Sequence, residues 1–309
     1  MEDLAINTSH KTNGGYGQPK GPMDELEIEL SKIIGLDEVK AHLRKLGKGM
    51  LLDKNRRAMG VNLSHKNLPH MAFLGNPGTG KTTVARILCK LLSSVGVLFR
   101  ANVFQVEPTD LVSKYYDETR QKTVKKIQDT RGKILFIDDA HCLSPSDTSG
   151  SYITYGEEAL DEIMSAVEEG RVLVIFAGCT KPMKDAFSLN KGFCERVEHF
   201  FQFDDYSCRE LAEMLMLKVS KPDERSRLFG FKLGSCCSVD AVASLIERKT
   251  SEKMRSKMNG RLVDHMLNNG RDHLDSRLGS EAKGDELLTI TLADLEAGLD
   301  QLVRRLNVG

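Results

Sequence analysis

The sequence predicts an α/β fold, in which a five-stranded parallel sheet flanked by helices is followed by a small helical domain. Two patterns indicate this arrangement. Five short apolar runs alternate with segments whose apolar residues recur at helical spacing, as in parallel sheets covered by helices. Near residue 205 the alternation stops, and helical spacing alone continues. With 309 residues, the chain is long enough for one large and one smaller domain.

The chain divides into four regions in order. Residues 1–22 are polar and rich in glycine, which predicts a disordered tail. Region 23–68 carries apolar residues at helical spacing and is predicted to form short helices that lead into the α/β domain. That domain spans 69–205, and the helical domain spans 206–309, opening with a capping box of Ser207 and Glu210. The predicted strands are His70–Leu74, Val103–Val106, Ile134–Ile137, Val172–Phe176 and Val197–Phe201.

Composition narrows the class of protein. Lysine plus arginine equals aspartate plus glutamate at 44 each, so no net field attracts the chain to nucleic acid or an anionic membrane. No apolar run reaches the length of a membrane span, and the first residues lack the pattern of a secretory signal. The seven cysteines form no CxxC pair and no zinc spacing. We therefore expect a cytoplasmic protein with reduced thiols and no membrane partner.

A glycine-rich run between the first strand and the next helix fits G-x-x-x-x-G-K-[ST] in full. In such a loop, backbone N–H groups converge on an anion and the first helical turn adds its dipole. Lys81 can then reach the β- and γ-phosphates, and the Thr82 hydroxyl can hold Mg²⁺. The run therefore predicts an ATP site; an ordinary glycine turn is the alternative. The predicted phosphate-binding residues are Gly75, Asn76, Pro77, Gly78, Thr79, Gly80, Lys81, Thr82 and Thr83.

A second motif follows about sixty residues later. The apolar strand Ile134–Ile137 ends in Asp138 and Asp139. After such a strand the first carboxylate can bind Mg²⁺, and the second can orient or deprotonate the attacking water. Paired acids at this place are often only a helix cap, but the upstream phosphate loop favours the catalytic interpretation.

Together these residues resemble the CbbX/CfxQ branch of the AAA+ ATPases, which includes the stage V sporulation protein K group. Within that branch, the chain is most similar to the AAA+ module of plant ankyrin-repeat proteins, although it has no ankyrin pattern. The resemblance runs from about residue 24 to the C-terminal helix. It implies a P-loop AAA+ large domain and a helical lid domain, hydrolysis of ATP with Mg²⁺, and a homo-oligomeric, hexameric ring that remodels a protein substrate. The motifs that carry it are Ile34-Gly35-Leu36-Asp37, Gly75 to Thr82, Leu135 to Ala140, Phe176-Ala177-Gly178 and Gly192 to Val197.

The resemblance also implies roles for single residues. Arg196 matches the arginine finger that stabilises transition-state charge in a neighbouring subunit. Arg261 falls at the sensor 2 position of the lid, and Thr180 lies in the sensor 1 region. Tyr115 and Tyr116 match an aromatic pore loop. From the sequence alone, each residue also has a structural interpretation. Arg196 could form a surface ion pair, Arg261 could belong to a solvated basic face, and the two tyrosines could pack in the core.

Three positions depart from the family pattern. Asp139 stands where glutamate is usual, Asp117 replaces the glycine after the aromatic pair, and Cys194 replaces an arginine of the finger segment. These departures favour a second hypothesis, a nucleotide-gated scaffold with little or no hydrolysis. A third hypothesis is a nucleic-acid-dependent helicase, because Asp138 to His141 resemble the helicase Asp-Glu-x-His box. The zero net charge and the lack of an arginine-rich second motif argue against a nucleic-acid partner.

Overall fold

The central layer of the molecule is a fully parallel five-stranded sheet in the order β2-β3-β4-β1-β5. The computed structural model describes residues 21–63, 68–113, 115–144, 153–189, 191–222 and 226–307. The predicted fold class is confirmed, and β2 and β3 have their predicted bounds. The strands are β1 Met71–Gly75, β2 Val103–Val106, β3 Ile134–Ile137, β4 Leu173–Gly178 and β5 His199–Phe203.

The prediction for the fifth strand was wrong by two residues. A short helix continues to Arg196, and the backbone amides of Glu198 and His199 then donate to the carbonyl of His70. The sheet ladder of β5 consequently begins at His199, opposite Met71. The helices of this part of the chain are α1 Pro22–Leu30, α2 Asp37–Ala58, α3 Lys81–Ser94, α4 Pro108–Leu111, α5 Tyr116–Asp129, α6 Ile153–Glu168, α7 Thr180–Leu189 and α8 Lys191–Arg196.

Two apolar layers cover the two faces of the sheet. Met71 and Phe73 of β1 belong to one core with α1, α2 and α3, whereas Ala72 and Leu74 belong to the other with α5, α6 and α7. This division follows from the two-residue period of a strand. The three inner strands β1, β3 and β4 are buried at every position and are apolar throughout, which is why they were visible in the sequence.

The N-terminal region differs from its prediction in two details. Pro22 is the first residue of α1, so the tail predicted for residues 1–22 ends at least one residue earlier; residues 1–20 lie outside the described chain. Proline is favoured in the first helical turn because no hydrogen bond is lost there. The second helix, α2, has 22 residues and is longer than the short helices predicted, since no proline interrupts it.

The C-terminal region is a helical bundle with its own apolar core. Its first helix has the predicted capping box, in which the Glu210 amide donates to Ser207 Oγ and the Ser207 amide donates to Glu210 Oε2. The bundle also contains a two-stranded parallel ladder that the sequence did not predict. Its elements are α9 Cys208–Ser220, β6 Lys232–Leu233, α10 Val239–Lys249, α11 Glu252–Met258, α12 Gly260–Arg277, β7 Thr289–Ile290 and α13 Leu292–Asn307.

Two 3₁₀ helices, Ala140–Leu143 and Gly284–Leu288, complete the described elements. None of the helices in the described ranges combines the length and the apolarity that crossing a membrane requires.

Candidate functional site

The glycine-rich loop connects β1, the strand between β4 and β5, to α3 at the carboxyl edge of the sheet. The strand ends at Gly75 and the helix begins at Lys81. Gly80, the residue before the helix, has φ +94°, a left-handed conformation that favours glycine. The turn therefore places the N-terminus of a 14-residue helix, with its unpaired N–H groups and positive dipole, directly behind the loop.

The ammonium group of Lys81 is held at the base of this loop. Lys81 is 9% exposed, and its Nζ donates to the carbonyls of Gly75 and Asn76, both at 2.8 Å. Burial lowers the pKa of Lys81, while the neighbouring Asp138 carboxylate opposes that change. A cation removed from water attracts an anion more strongly than one on the surface.

The two carboxylates after β3 occupy different environments. Asp138 is half-buried, and burial, followed by the nearby Asp139 charge, raises the pKa of its carboxyl group. Asp139 is exposed and has φ +47°, where it begins the 3₁₀ helix Ala140–Leu143. Aspartate tolerates this left-handed conformation better than most residues, because its short side chain hydrogen-bonds locally.

These motifs border one cavity of about 480 Å³ between the α/β domain and the helical domain. Its lining combines cationic and acidic side chains with the apolar side chains of Ile34, Leu36 and Leu217. Such a combination suits a ligand with a charged part and an apolar ring system. The predicted site residues in the lining are Pro77, Gly78, Gly80, Lys81, Thr82, Thr83, Asp138, Asp139 and Arg261.

Five other predicted residues do not line this cavity: Gly75, Asn76, Thr79, Thr180 and Arg196. Cys179, rather than Thr180, belongs to the lining, and the Thr180 hydroxyl accepts a hydrogen bond from Gln202 Nε2 at 3.2 Å. Arg196 lies at the end of α8 and does not line the cavity. Its guanidinium forms an ion pair with Glu168 at the end of α6 and donates to the Gly192 carbonyl at 2.8 Å.

Several lining residues were absent from the sequence-based site. Ile33, Ile34 and Leu36 come from the segment between α1 and α2, and Tyr206 and Lys218 come from the start of the helical domain. The Ile34-Gly35-Leu36 run contributed to the family resemblance, so a signal for the N-terminal part of the wall existed. The remaining residues carry no motif that places them there.

A magnesium ion fits the residues at the loop end. Thr82 supplies a hydroxyl in the first turn of α3, and Asp138 supplies a carboxylate with acceptor capacity to spare. Among the described residues, this carboxylate receives hydrogen bonds from the Asp139 amide at 3.2 Å and from Gln105 Nε2 at 3.5 Å. Both bonds are long, and a carboxylate offers about four lone-pair sites. Hydroxyl, carboxylate and phosphate oxygens are the ligands that Mg²⁺ prefers.

A larger cavity, of about 890 Å³, lies between α2, the segment after α3 and β5. Its wall includes His42, Met50 and His199 but none of the motif residues. Size alone therefore does not identify the functional site of this molecule.

The fold and the site define a P-loop ATPase of the AAA class. A family model described as "ATPase family associated with various cellular activities (AAA)" matches residues 71–205, and a domain of unknown function, DUF8495, matches residues 205–303. The AAA domain of FIGL-1, solved in complex with ADP, has a TM-score of 0.59 at 18% identity. That comparison covers 88% of this chain and 82% of the other, and it shows the fold alone.

Two bacterial relatives define the family more narrowly. Stage V sporulation protein K of Bacillus subtilis is 31% identical over 279 residues, covering 89% of this chain and 83% of that protein. The chromosomal CbxX protein of Cupriavidus necator is 33% identical over 284 residues, covering 88% and 84%. The chain therefore belongs to the CbbX/CfxQ-like family of AAA+ ATPases.

Proposed function

We propose that the protein is an oligomeric, Mg²⁺-dependent ATPase that couples ATP hydrolysis to the remodelling of a protein partner. The observation that carries this proposal is the single cavity that Lys81, Thr82, Asp138, Asp139 and Arg261 line together. These residues come from both domains, so a nucleotide bound there contacts the α/β domain and the lid at once.

Each side chain has a role that its position supports. Lys81 and the loop amides bind the phosphates, and Thr82 and Asp138 hold the metal. When bound, Mg²⁺ neutralises charge on the phosphate oxygens. Asp139 is exposed just after the carboxyl end of β3 and orients the attacking water. Arg261, in the first turn of α12, adds positive charge from the lid side.

Arg196 acts on the nucleotide of a neighbouring subunit in this proposal. Its position outside its own cavity supports action in trans, which requires an oligomer; the family resemblance favours a hexameric ring. Its ion pair with Glu168 must open before the guanidinium reaches a phosphate. Glu168 therefore determines how readily the finger becomes available.

The proposed protein partner contacts the segment that precedes α5. Tyr115 is 69% exposed there and is not part of the core, which supports a contact role for this residue. Residue 114 and the side chains of Tyr116 and Asp117 lie outside the described part of the chain.

Steady-state ATP hydrolysis, measured over a range of protein concentrations with Mg²⁺, tests the proposal. The Lys81→Ala variant should lose ATP affinity at least a hundredfold, since its ammonium is the buried cation of the loop. Unchanged ATP binding in this variant would remove the basis of the proposed site.

Subunit mixing tests action in trans. Neither Arg196→Ala nor Lys81→Ala should hydrolyse ATP alone, but mixed rings should recover activity, because an intact Arg196 then faces an intact nucleotide site. Mixtures of Arg196→Ala with the double variant Lys81→Ala/Arg196→Ala are the control and should stay inactive. Absence of recovery at every mixing ratio would contradict the trans finger.

A nucleotide-gated scaffold is the second candidate function. The short side chain of Asp139 favours it, because misplacing a catalytic group by about 1 Å costs on the order of a hundredfold in rate. In that case the wild-type protein binds ATP and assembles, but its hydrolysis rate equals that of Lys81→Ala. The concentration series described above distinguishes the two functions.

A further inference from the structure

Asn259 joins α11 to α12 in a conformation that disfavours a side chain. It is fully buried, with φ +46° and ψ −127°, and it lies outside the usual left-handed helical region for residues other than glycine. This turn directs the N-terminus of α12, and with it Arg261, towards the cavity. A strained, buried residue beside a binding site requires surrounding interactions to hold it.

The side-chain amide of Asn259 provides those interactions. Its Oδ1 accepts the backbone N–H of Tyr206 at 3.0 Å. Its Nδ2 lies 2.9 Å from Asp205 Oδ1, 2.8 Å from the Ser256 carbonyl and 3.2 Å from the Pro77 carbonyl. An amide has only two N–H hydrogens for these three acceptors, so the longest contact, to the phosphate loop, is the weakest.

Asp205 forms the second anchor of this cluster. Besides Asn259, it accepts from Asn76 Nδ2 at 2.9 and 3.0 Å. Burial acts to raise the pKa of Asp205, but hydrogen bonds from Ser256, Asn259 and Asn76 outweigh it and lower that pKa. The carboxylate therefore remains ionised and links the phosphate loop to the lid.

Backbone contacts extend the link along the phosphate loop. The Gly260 amide donates to the Gly78 carbonyl at 3.1 Å, and the Tyr206 hydroxyl donates to the Thr79 carbonyl at 3.1 Å. A side chain at Gly78 would have its Cβ 2.2 Å from the Met258 carbonyl oxygen, so the loop and the lid are in direct contact. Four consecutive loop residues, 76 to 79, each form a hydrogen bond either with residues 205–206, which we call the hinge, or with residues 259–260 of the lid.

We propose that Asn259 and Asp205 are a pair of positioning residues that hold the phosphate loop and Arg261 in a fixed relative position. Nucleotide binding to the loop is thereby transmitted to the lid. Neither residue lines the cavity in which the nucleotide is proposed to bind. It acts through the loop carbonyls and the N-terminus of α12. The inference rests on the proposed nucleotide site, and it assigns a role that no motif residue fills.

The test measures the affinity for Mg²⁺ and fluorescent mant-ADP together with amide hydrogen exchange in α12. In Asn259→Gly the backbone conformation is retained, or even relieved of strain, while the amide is lost. We expect its affinity to fall about tenfold, within the 5- to 150-fold range of coupled sites. ADP should protect the α12 amides in the wild-type protein and no longer do so in this variant.

Ser251→Ala is the matched control. Ser251 caps the other end of α11 by accepting the Met254 amide at 3.2 Å, and among the described residues its side chain forms no hydrogen bond with the phosphate loop. We expect its affinity for mant-ADP to stay within twofold of wild type. An equal loss in Ser251→Ala and Asn259→Gly would overturn the proposal, because general weakening of the lid would explain both. Wild-type affinity and ADP-dependent protection in Asn259→Gly would overturn it as well.

A swap of the two side chains tests the pairing itself. Asn259→Asp places two carboxylates side by side and should weaken mant-ADP binding more than Asn259→Gly. The double variant Asp205→Asn/Asn259→Asp restores a donor between the two positions, so its affinity should exceed that of Asn259→Asp alone. No recovery in the double variant would overturn the assignment of Asp205 to the pair. A wild-type protein that binds no mant-ADP would instead contradict the proposed nucleotide site.

Discussion

Two carboxylates withdrawn from solvent, Asp294 in the lid and Asp138 at the edge of the sheet, differ in how their charge is compensated. Asp294 is fully buried and accepts from Arg277 Nε at 2.7 Å, Arg277 Nη2 at 3.0 Å and both the amide and the hydroxyl of Thr291 at 2.8 and 2.7 Å. Burial acts to raise its pKa, but the hydrogen bonds of Arg277, Thr291 and His273 hold the pKa of Asp294 well below its ordinary range.

At Asp138, burial outweighs the hydrogen bonds that the carboxylate receives. Its hydrogen bonds are long, and burial and the adjacent Asp139 charge raise its pKa. The comparison separates two uses of a carboxylate. Asp294 is satisfied by its own chain and stabilises the fold, whereas Asp138 is under-satisfied by the described residues, as expected of a group that a metal ion completes.

The largest effect is expected in the lid. Asp294→Asn should lower the free energy of unfolding by about 2–3 kcal/mol, because it weakens the charge-assisted hydrogen bonds that Arg277 and Thr291 donate to a fully buried carboxylate. Urea denaturation followed by circular dichroism measures this change. Asp300→Asn is the control: Asp300 lies on the same helix, pairs with Lys249 and is more exposed, so it should cost less than about 1 kcal/mol. Equal losses would mean that burial does not distinguish the two carboxylates.

A smaller effect is expected at Asp139, the exposed neighbour of Asp138. Asp139→Glu extends the carboxylate by one methylene and should raise turnover ten- to hundredfold if the short side chain limits the rate. Steady-state ATPase activity at saturating ATP measures this effect. Because glutamate tolerates φ +47° less well than aspartate, the melting temperature should fall slightly. A flat or reduced rate would show that the local backbone already places Asp139 correctly.

The smallest effect is expected at Asp138, and its sign is opposite to that in the lid. Asp138→Asn should stabilise the nucleotide-free protein by about 1 kcal/mol at neutral pH, because it removes a charge that burial penalises. The same variant should lose the Mg²⁺-dependent part of its ATP affinity. A lower free energy of unfolding in this variant would show that Asp138, like Asp294, stabilises the fold.

The pH dependence follows from the two pKa directions. The folded pKa of Asp138 is raised, so its contribution to stability is present below the ordinary aspartate pKa of about 3.9 and is lost as pH rises through the raised value. The stability gain of Asp138→Asn should therefore shrink on acidification. The folded pKa of Asp294 is lowered, so its contribution to stability is present above about 3.9 and is lost progressively as pH falls through the lowered value. Urea midpoints measured between neutral and acid pH check both signs.

The sequence was sufficient to predict the elements whose characteristic residues are contiguous in the chain. The phosphate loop, the strand that ends in Asp138 and the buried apolar strands all lie within short windows. A two-residue strand such as Lys232–Leu233 is too short to show a period, so the β6–β7 ladder could not be predicted.

The site was predicted in part for the same reason. Its polar centre carries motifs, but its apolar wall and the hinge depend on tertiary contacts. Asn76 and Ser256 are 180 positions apart yet lie within 2.9 Å of each other through Nδ2 and Oγ. No local pattern marks Asn259 as a residue that contacts both the phosphate loop and Asp205.

The Arg196 guanidinium forms an ion pair with Glu168 of its own chain. In the proposed ring, this ion pair competes with the binding of Arg196 to the nucleotide of a neighbouring subunit. In the proposed ring, a dilute subunit keeps its finger bound to its own α6, and only a neighbour that carries nucleotide offers a stronger anion. The specific activity per subunit should consequently increase with protein concentration rather than stay constant. A cell that makes few copies of this chain would then hydrolyse little ATP without any separate inhibitor.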